Sequence, residues 1–241
     1  RVLITGGGTG LGADLARGFA AAGATVVVAG RRREPLDAIA ATTGAAVVVA
    51  DVTVEADVTR LFAEAGAIDI VVANAGTADS APFTRTSLAM WQQLIDVNLT
   101  GTFLTLREGA RQLRNREWGR LITIASTAGL KGYPYVAAYT AAKHGAVGLT
   151  RAVAAELAAT GVTANALCPG YLDTEMTQRT IANIVATTGR TPDAALSSLT
   201  PTNPQGRLID PAEVTAAALW LCGPGSDAIT GQAIAIAGGE L

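Results

Sequence analysis

A doubly wound parallel α/β sheet of about seven strands, with helices on both faces, is the fold class the sequence predicts. Three observations lead there. Short β-branched runs alternate with Ala-rich helical stretches along the whole chain. Each short run is continuously apolar instead of alternating, as expected when both faces of a strand are covered. The 241 residues, 49% hydrophobic and only 16% charged, suffice for a large core and carry no Ser/Gly linker, composition shift or internal repeat, so one domain over 1–241 is expected.

Taken in order, residues 2–5 form an apolar run that stops at a glycine cluster, and helix 11–22 follows. Strand 25–29 closes on Gly30, and helix 34–43 begins after an arginine run. Strand 46–50 ends at Asp51-Val52, helix 54–65 follows, and strand 68–73 ends at Asn74-Ala75-Gly76. The stretch 87–115 reads as two helices broken near 98–101. Strand 120–125 ends at Ser126, and helix 138–159 leads to strand 163–167, just before Pro169-Gly170. Segment 173–209, rich in Thr and carrying Pro192, Pro201 and Pro204, reads as a helical excursion with loops, an insertion of the kind that serves as a substrate lid. Asp210 is the expected N-cap and Pro211 the first-turn residue of helix 211–221, and strand 232–236 completes the sheet.

Composition removes several function classes. A formal net charge of −2 offers no bulk attraction to nucleic acid. Mean hydropathy is +0.33, yet the longest uncharged run, 157–172, contains Asn165 and Pro169 and falls short of the roughly 18 apolar residues of a span. Cys168 and Cys222 cannot make a disulfide framework and have no His partners at metal-ligand spacing. They are expected to be buried small hydrophobes, in a cytoplasmic protein without a metal. No signal peptide is evident at the first residues, and residues are expected before Arg1 because no initiator Met precedes it.

The first strand runs into Thr5-Gly6-Gly7-Gly8-Thr9-Gly10-Leu11-Gly12 and then a helix. Such a turn lets backbone approach a pyrophosphate, and the helix N-terminus offers free N–H groups and a positive dipole end. Steric need in a tight turn is the plainer reading, but the strand-turn-helix context favours a dinucleotide. An acidic residue at the end of the second strand would hold the ribose hydroxyls of NAD(H). Gly30 stands there, followed by Arg31, Arg32 and Arg33. Arg31 and Arg32 could clasp a 2′-phosphate, which favours NADP(H) and leaves NAD(H) open.

Tyr139 and Lys143 are spaced i,i+4 early in a helix, which places phenol and ammonium on one face. A nearby ammonium favours the phenolate and so lowers the Tyr pKa toward proton exchange with an alcohol. Ser126 ends a strand thirteen positions earlier, at the carboxyl edge where ligands bind. In their order these motifs resemble the short-chain dehydrogenase/reductase family over essentially the whole chain. The resemblance rests on the glycine loop, Asp51-Val52, Asn74-Ala75-Gly76, Asn98, Ser126, Tyr139 with Lys143, and Pro169-Gly170 followed by Thr174.

It implies a Rossmann-type fold in which Tyr139 is the general acid/base and Ser126 polarises the substrate carbonyl. It implies further that Lys143 binds the nicotinamide ribose and lowers the Tyr139 pKa, and that Asn98 holds a relay water. Asp51 would contact the adenine; Gly6, Thr9, Gly10, Leu11, Gly12, Val52, Asn74, Ala75, Gly76, Pro169, Gly170 and Thr174 would complete the cofactor cleft. Ala73 replaces the first Asn of the family's N-N-A-G motif, a position that accepts small residues. For Asn74 a structural role joining strands stands beside cofactor contact, and for Asn98 a capped helix break stands beside the relay.

The segments 139–150, 164–174 and 223–239 look most like reductases of 3-oxoacyl thioesters and polyketide ketones, and also like 3-hydroxybutyrate dehydrogenases. The latter are expected to carry a His shortly after the Ser; Thr127-Ala128-Gly129 follow here. The alternatives are an NAD-dependent hydroxy-acid or alcohol dehydrogenase and a non-catalytic cofactor-binding regulator, which would be expected to lack one of Ser126, Tyr139 or Lys143. The family also implies a homo-oligomer, most simply a tetramer, pairing helices near 98–115 and 138–159. Arg111, Arg114, Arg116 and Arg120 are read as lying around a helix end, complementing its dipole, with docking of an acidic carrier protein left open. Tyr133, Tyr135, Tyr171 and Met176 flank the expected active site, as pocket walls or as ordinary packing. His144 is expected to hydrogen-bond on its helix.

Overall fold

The computed structural model describes residues 1–199 and 203–241; Pro201 lies outside them. The strands are β1 (Val2–Thr5), β2 (Val26–Gly30), β3 (Ala46–Val49), β4 (Ile70–Ala73), β5 (Gly119–Ile124), β6 (Val162–Pro169) and β7 (Ala233–Ile236). They form one parallel sheet in the order β3-β2-β1-β4-β5-β6-β7. Val2 of β1 lies opposite Val26 on one side and Ile70 on the other. The carboxyl ends of β1 and β4 therefore flank the switch point at which open α/β sheets receive ligands.

The helices are α1 (Gly10–Ala21), α2 (Arg33–Thr43), α3 (Glu55–Ala65), α4 (Leu88–Ile95), α5 (Gly101–Leu113), α6 (Ala137–Leu157), α7 (Glu175–Thr188), α8 (Pro192–Leu199) and α9 (Pro211–Cys222). Successive strand residues serve opposite layers. Val2 and Ile4 pack with Leu15 and Phe19 of α1, Leu36 of α2 and Leu221 of α9. Leu3 packs on the other face with Leu61 of α3, Leu106 of α5 and Leu157 of α6. A helix layer on each side explains why the strands read as unbroken apolar runs. Among the described residues no helix is long and apolar enough to cross a membrane.

The two helices expected over 87–115 are found, and the reading of the arginines needs correction. The break near 98–101 is a π-helical turn, Asp96–Thr100, that joins α4 to α5. It is held by buried Asn98, whose Nδ2 donates to the carbonyls of Leu94 and Thr77, each at 2.9 Å. Arg120 does not sit at the end of α5: it is buried in β5, where its Nε donates to the Leu221 carbonyl at 2.9 Å and its guanidinium pairs with Asp227. The helix end it complements is that of α9, brought beside β5 by the fold. Arg111 pairs with Glu108 and Arg116 with Asp69, so three of the four arginines have acidic partners and a bare basic patch is lost. Cys222 is half-buried, Cys168 fully; burial pushes the first thiol up to about 12 and the second to about 11, leaving both inert as thiolates. His144 is exposed with Nδ1 3.0 Å from the Thr140 carbonyl, as expected of a helix-surface residue.

Candidate active site

The first wall of the site is the turn between β1 and α1. Gly6 has φ +66°, and a Cβ there would lie 2.9 Å from the Cα of Ala75. A Cβ on Gly12 would stand 2.1 Å from the Gly6 carbonyl oxygen, so no other residue fits without moving the turn. Asn74 fastens this turn to β4: its Nδ2 donates to the carbonyls of Thr5 at 2.9 Å and Gly6 at 3.2 Å. Thr5 Oγ1 accepts in return from the N–H groups of Asn74 and Ala75. Thr9 makes no side-chain cap and the first turn of α1 carries no acidic residue, so its N–H groups and positive dipole end are left for a ligand. Thr174, the N-cap residue of α7, overhangs the turn; a Cβ on Gly10 would be 3.6 Å from its side chain. A glycine cradle with an uncapped helix end suits a pyrophosphate.

Toward β2 and β3, Arg31, Thr53, Thr77, Gln92, Asp96 and Val97 help to line an open cleft of about 460 Å³. Arg31 and Arg32 are exposed, and neither has an ion-pair or hydrogen-bond partner among the described residues; Arg33 is turned to Asp37 at 3.4 Å. Asp51 Oδ1 accepts from the N–H and hydroxyl of Thr53, at 2.9 and 2.8 Å. Val52 is buried against Gly101 of α5, where a Cβ would meet it at 2.7 Å, so its side chain packs the helix layer beneath the cleft.

The second wall gathers Ser126, Tyr139 and Lys143. Ser126 follows β5, and its Oγ accepts from the Ala128 N–H at 3.1 Å, fixing a 3₁₀ turn over Thr127–Gly129. Tyr139 lies in the first turn of α6 and hydrogen-bonds Ser126. One turn later the Lys143 ammonium stands 5.6 Å from the Tyr139 ring centre and donates to the Ile124 carbonyl at 2.8 Å. A Cβ on Gly76 would lie 2.9 Å from Asn98 Oδ1 and 3.7 Å from Lys143 Nζ, so residues from four separate segments converge. The Asn98 amide is fully engaged with Thr77 and Leu94, and its backbone carbonyl accepts from Thr102 Oγ1 at 2.8 Å.

The electrostatics differ from the sequence-based expectation. Burial pushes the Tyr139 phenol up to about 12, although the hydrogen bond from Ser126 pulls it down. Burial likewise drives the Lys143 ammonium down to about 8. In the chain by itself the low-dielectric setting outweighs the Ser126 hydrogen bond, so Tyr139 is a protonated donor at neutral pH. Beyond Tyr139, Tyr171 packs with Ile181 of α7 and Leu199 of α8, while Tyr135, with φ 69°, and Met176 are exposed at the rim. Sequence reasoning missed Glu240, whose carboxylate meets Tyr133 and Lys131 behind this wall. No local signal marks it, because Tyr133 is 107 positions away.

A doubly wound sheet with a glycine cradle at the switch point and a Ser-Tyr-Lys group beside it defines a nicotinamide-dependent oxidoreductase. A family model described as short chain dehydrogenase matches residues 1–184. A putative ketoacyl reductase of Streptomyces coelicolor is 34% identical, the match spanning 98% of this chain and 95% of the relative. A D-beta-hydroxybutyrate dehydrogenase of Rhizobium meliloti is also 34% identical, over 98% and 96% of the two chains. Among solved structures, a single-substitution variant of actinorhodin polyketide ketoreductase with NADPH superposes with a TM-score of 0.92 at 33% identity, covering 99% of this chain and 96% of that one. The chain belongs to the short-chain dehydrogenase/reductase family. It is an NAD(P)-dependent enzyme of carbonyl/alcohol redox chemistry.

Proposed function

We propose that this enzyme is an NADP(H)-dependent ketoreductase acting on a 3-oxoacyl thioester or a related ketone. The observation that carries the reading is the convergence of Ser126, Tyr139 and Lys143 beside the glycine cradle. The nicotinamide, when bound, supplies or accepts the hydride. Ser126 orients and polarises the substrate oxygen, and Tyr139, protonated at neutral pH, gives it the proton. Lys143 has three N–H donors; one serves Ile124 and two are left for ribose hydroxyls. The Asn98 backbone carbonyl, set in the π turn, is the acceptor that would hold a relay water leading to Lys143. Gly6, Thr9, Gly10, Leu11 and Gly12 hold the pyrophosphate, with Asn74, Ala75 and Gly76 as their support. Asp51 and Val52 bound the adenine, and Pro169, Gly170 and Thr174 bound the nicotinamide. Arg31 and Arg32, unpaired among the described residues, receive the 2′-phosphate.

Segment 173–209, which includes α7 and α8, acts as the lid over the substrate. The thioester reading is supported by the named ketoreductase relatives. A hydroxy-acid reading, suggested by the Rhizobium relative, is disfavoured because Thr127-Ala128-Gly129 offer no imidazole for a free carboxylate. The two free cysteines accord with the reducing cytoplasm.

The test follows the absorbance of reduced nicotinamide with acetoacetyl thioester, free 3-oxo acids and simple ketones, each with NADPH and NADH. Turnover of the thioester with NADPH is expected. Turnover confined to free acids with NADH would replace this reading with the hydroxy-acid one. Tyr139→Phe should lower kcat by roughly 10²–10⁴-fold while cofactor Kd stays within about twofold, because only the proton donor is lost. A kcat within about tenfold of wild type would remove Tyr139 from that role.

A further inference from the structure

Behind the Ser126 wall lies a polar group that the reaction scheme does not use. β7 ends at Ile236, and Gly238-Gly239 just beyond it, with φ +61° and +89°, turn the chain back. A Cβ on Gly238 would stand 2.1 Å from Asn203 Oδ1, so the tail is wedged at this point. The turn delivers the Glu240 side chain, only 2% exposed, between two walls of the site. Its Oε1 hydrogen-bonds the Tyr133 hydroxyl and lies 3.1 Å from Lys131 Nζ. Its Oε2 lies 3.4 Å from where a Cβ of Gly170 would be. The Tyr133 oxygen is in turn 2.8 Å from Thr127 Oγ1, next to Ser126.

Proton counting orders this chain. A carboxylate paired with an ammonium has no proton to give, so the single phenol proton of Tyr133 goes to Glu240. Thr127 must then donate to the phenol oxygen. The 3₁₀ turn that Ser126 caps is thereby tied, through Tyr133, to Glu240. Gly170, the other neighbour of Glu240, donates its N–H to the Ile236 carbonyl of β7 at 3.0 Å, so the same tail supports both walls.

We infer that Glu240 is a positioning residue, which through Tyr133 and Thr127 holds the Ser126 turn in register with the segment at Gly170, at the end of β6. This rests on the role of Ser126 given under the proposed function. A misplacement of about 1 Å at a reacting group can cost up to about 100-fold, so a loosened turn should be read in kcat.

The test compares Glu240→Ala, Glu240→Gln, Tyr133→Phe and the Tyr133→Phe/Glu240→Ala double variant. Hydrogen exchange is followed in the peptides covering 126–133 and 169–172, with turnover of the wild-type substrate alongside. Glu240→Ala and Tyr133→Phe should each speed exchange in the 126–133 peptide about tenfold, with α9 unaffected, and lower kcat about tenfold. The cofactor Kd should stay within about twofold. The double variant should be no worse than the poorer single, because both remove one chain of contacts. Glu240→Gln, which keeps an acceptor for Tyr133, should recover at least a third of the wild-type kcat. Unchanged exchange in 126–133, or multiplicative losses in the double variant, would overturn the inference. If Glu240→Ala does not fold, Tyr133→Phe, which removes one oxygen, decides alone. A wild type without ketone turnover would sink the proposed function, whereas the exchange measurement judges the clamp independently.

Discussion

At the scale of single residues, the proposed cofactor preference and proton chemistry can each be challenged by substitution. Gly30 ends β2 where a carboxylate would hold ribose hydroxyls, and a Cβ there would only touch Leu36 at 3.6 Å. The site therefore accepts Asp without rebuilding, which makes Gly30→Asp with Arg31→Ala a fair test. On the proposed reading NADP(H) would lose a charge-assisted donor and meet a new negative charge, while NAD(H) would gain a ribose partner. The double variant should lose roughly 10- to 100-fold in NADP(H) kcat/KM and turn toward NAD(H). A wild type that already prefers NADH would reduce the arginines to a solvated helix start.

Lys143 carries a second prediction at the same scale. Its folded pKa of about 8 lies below the ordinary 10.5, so between those values the unfolded chain binds one more proton than the native chain. Stability due to this group therefore rises with pH through that window, and the burial cost is fully present below it. Lys143→Met, which removes the buried charge, should be more stable than wild type at pH 7 by on the order of 1–3 kcal/mol, the lost bond to Ile124 offsetting part of the gain. The advantage should shrink as pH climbs from about 8 toward 10.5. Titrations of groups that do not interact with Lys143 are common to both proteins and cancel in the difference; the Cys168 thiol, which the ammonium pulls down, moves further up in the variant and so stays above this window. Thermal melts in which the gap ignores pH would contradict this account.

Elements bring their own local logic. α9 starts with a complete capping box: Asp210 accepts from the Ala212 N–H at 2.9 Å, and Glu213 accepts from the Asp210 N–H at 3.0 Å. Arg207 forks onto Glu213 with bonds of 2.6 and 2.8 Å, tying the end of segment 173–209 to this helix. The guanidinium, with the Asp210 N–H, holds the Glu213 carboxyl down to about 2, against an ordinary 4.5. The stability this contributes is present above about 4.5 and fades as pH falls toward 2. Wild type should thus lose Tm on acidification from about pH 5 to about pH 3 more steeply than Glu213→Gln, which starts lower and has no carboxyl to protonate. Parallel acid slopes would show that the fork does not stabilise α9. The π turn at Asp96–Thr100 belongs to this scale as well: it widens the helix by one residue, and the Asn98 carbonyl within it accepts from the Thr102 hydroxyl.

At the scale of the whole molecule, two surfaces point to assembly. The outer face of α6 exposes Gly148, Ala152 and Ala155, small residues that allow a second helix to approach closely, and Phe103 of α5 is 41% exposed. β7 is an edge strand of Ala and Ile whose side chains are only partly covered. An uncovered apolar edge invites pairing, and a second copy of the chain would protect it. We propose a tetramer with one contact on the α5–α6 layer and another at β7. Light scattering at micromolar concentration should give about four times the chain mass, and Gly148→Arg should halve it. A stable wild-type monomer would refute the proposal.

The order of elements was legible in the sequence because it depends on local periodicity: β-branched apolar runs fit strands covered on both sides, and the Ala-rich stretches between them fit helices. The glycine cradle and the Tyr139/Lys143 pair were legible because their chemistry requires short, fixed spacings, four residues on one helix face or a run of small residues at a strand end. What the tertiary structure alone decided depends on partners distant in sequence. Arg120 reads as a helix-end cation until the sheet carries it beneath Leu221, 101 positions away. The expected lowering of the Tyr139 pKa gives way to burial by residues from several segments, which no spacing reveals. Glu240 is one more carboxylate near the end of the chain until Gly238-Gly239 folds it against Tyr133. Local pattern determines which elements form, since each is stabilised by neighbours within a few residues; dielectric environment and long-range pairing exist only once the elements have packed.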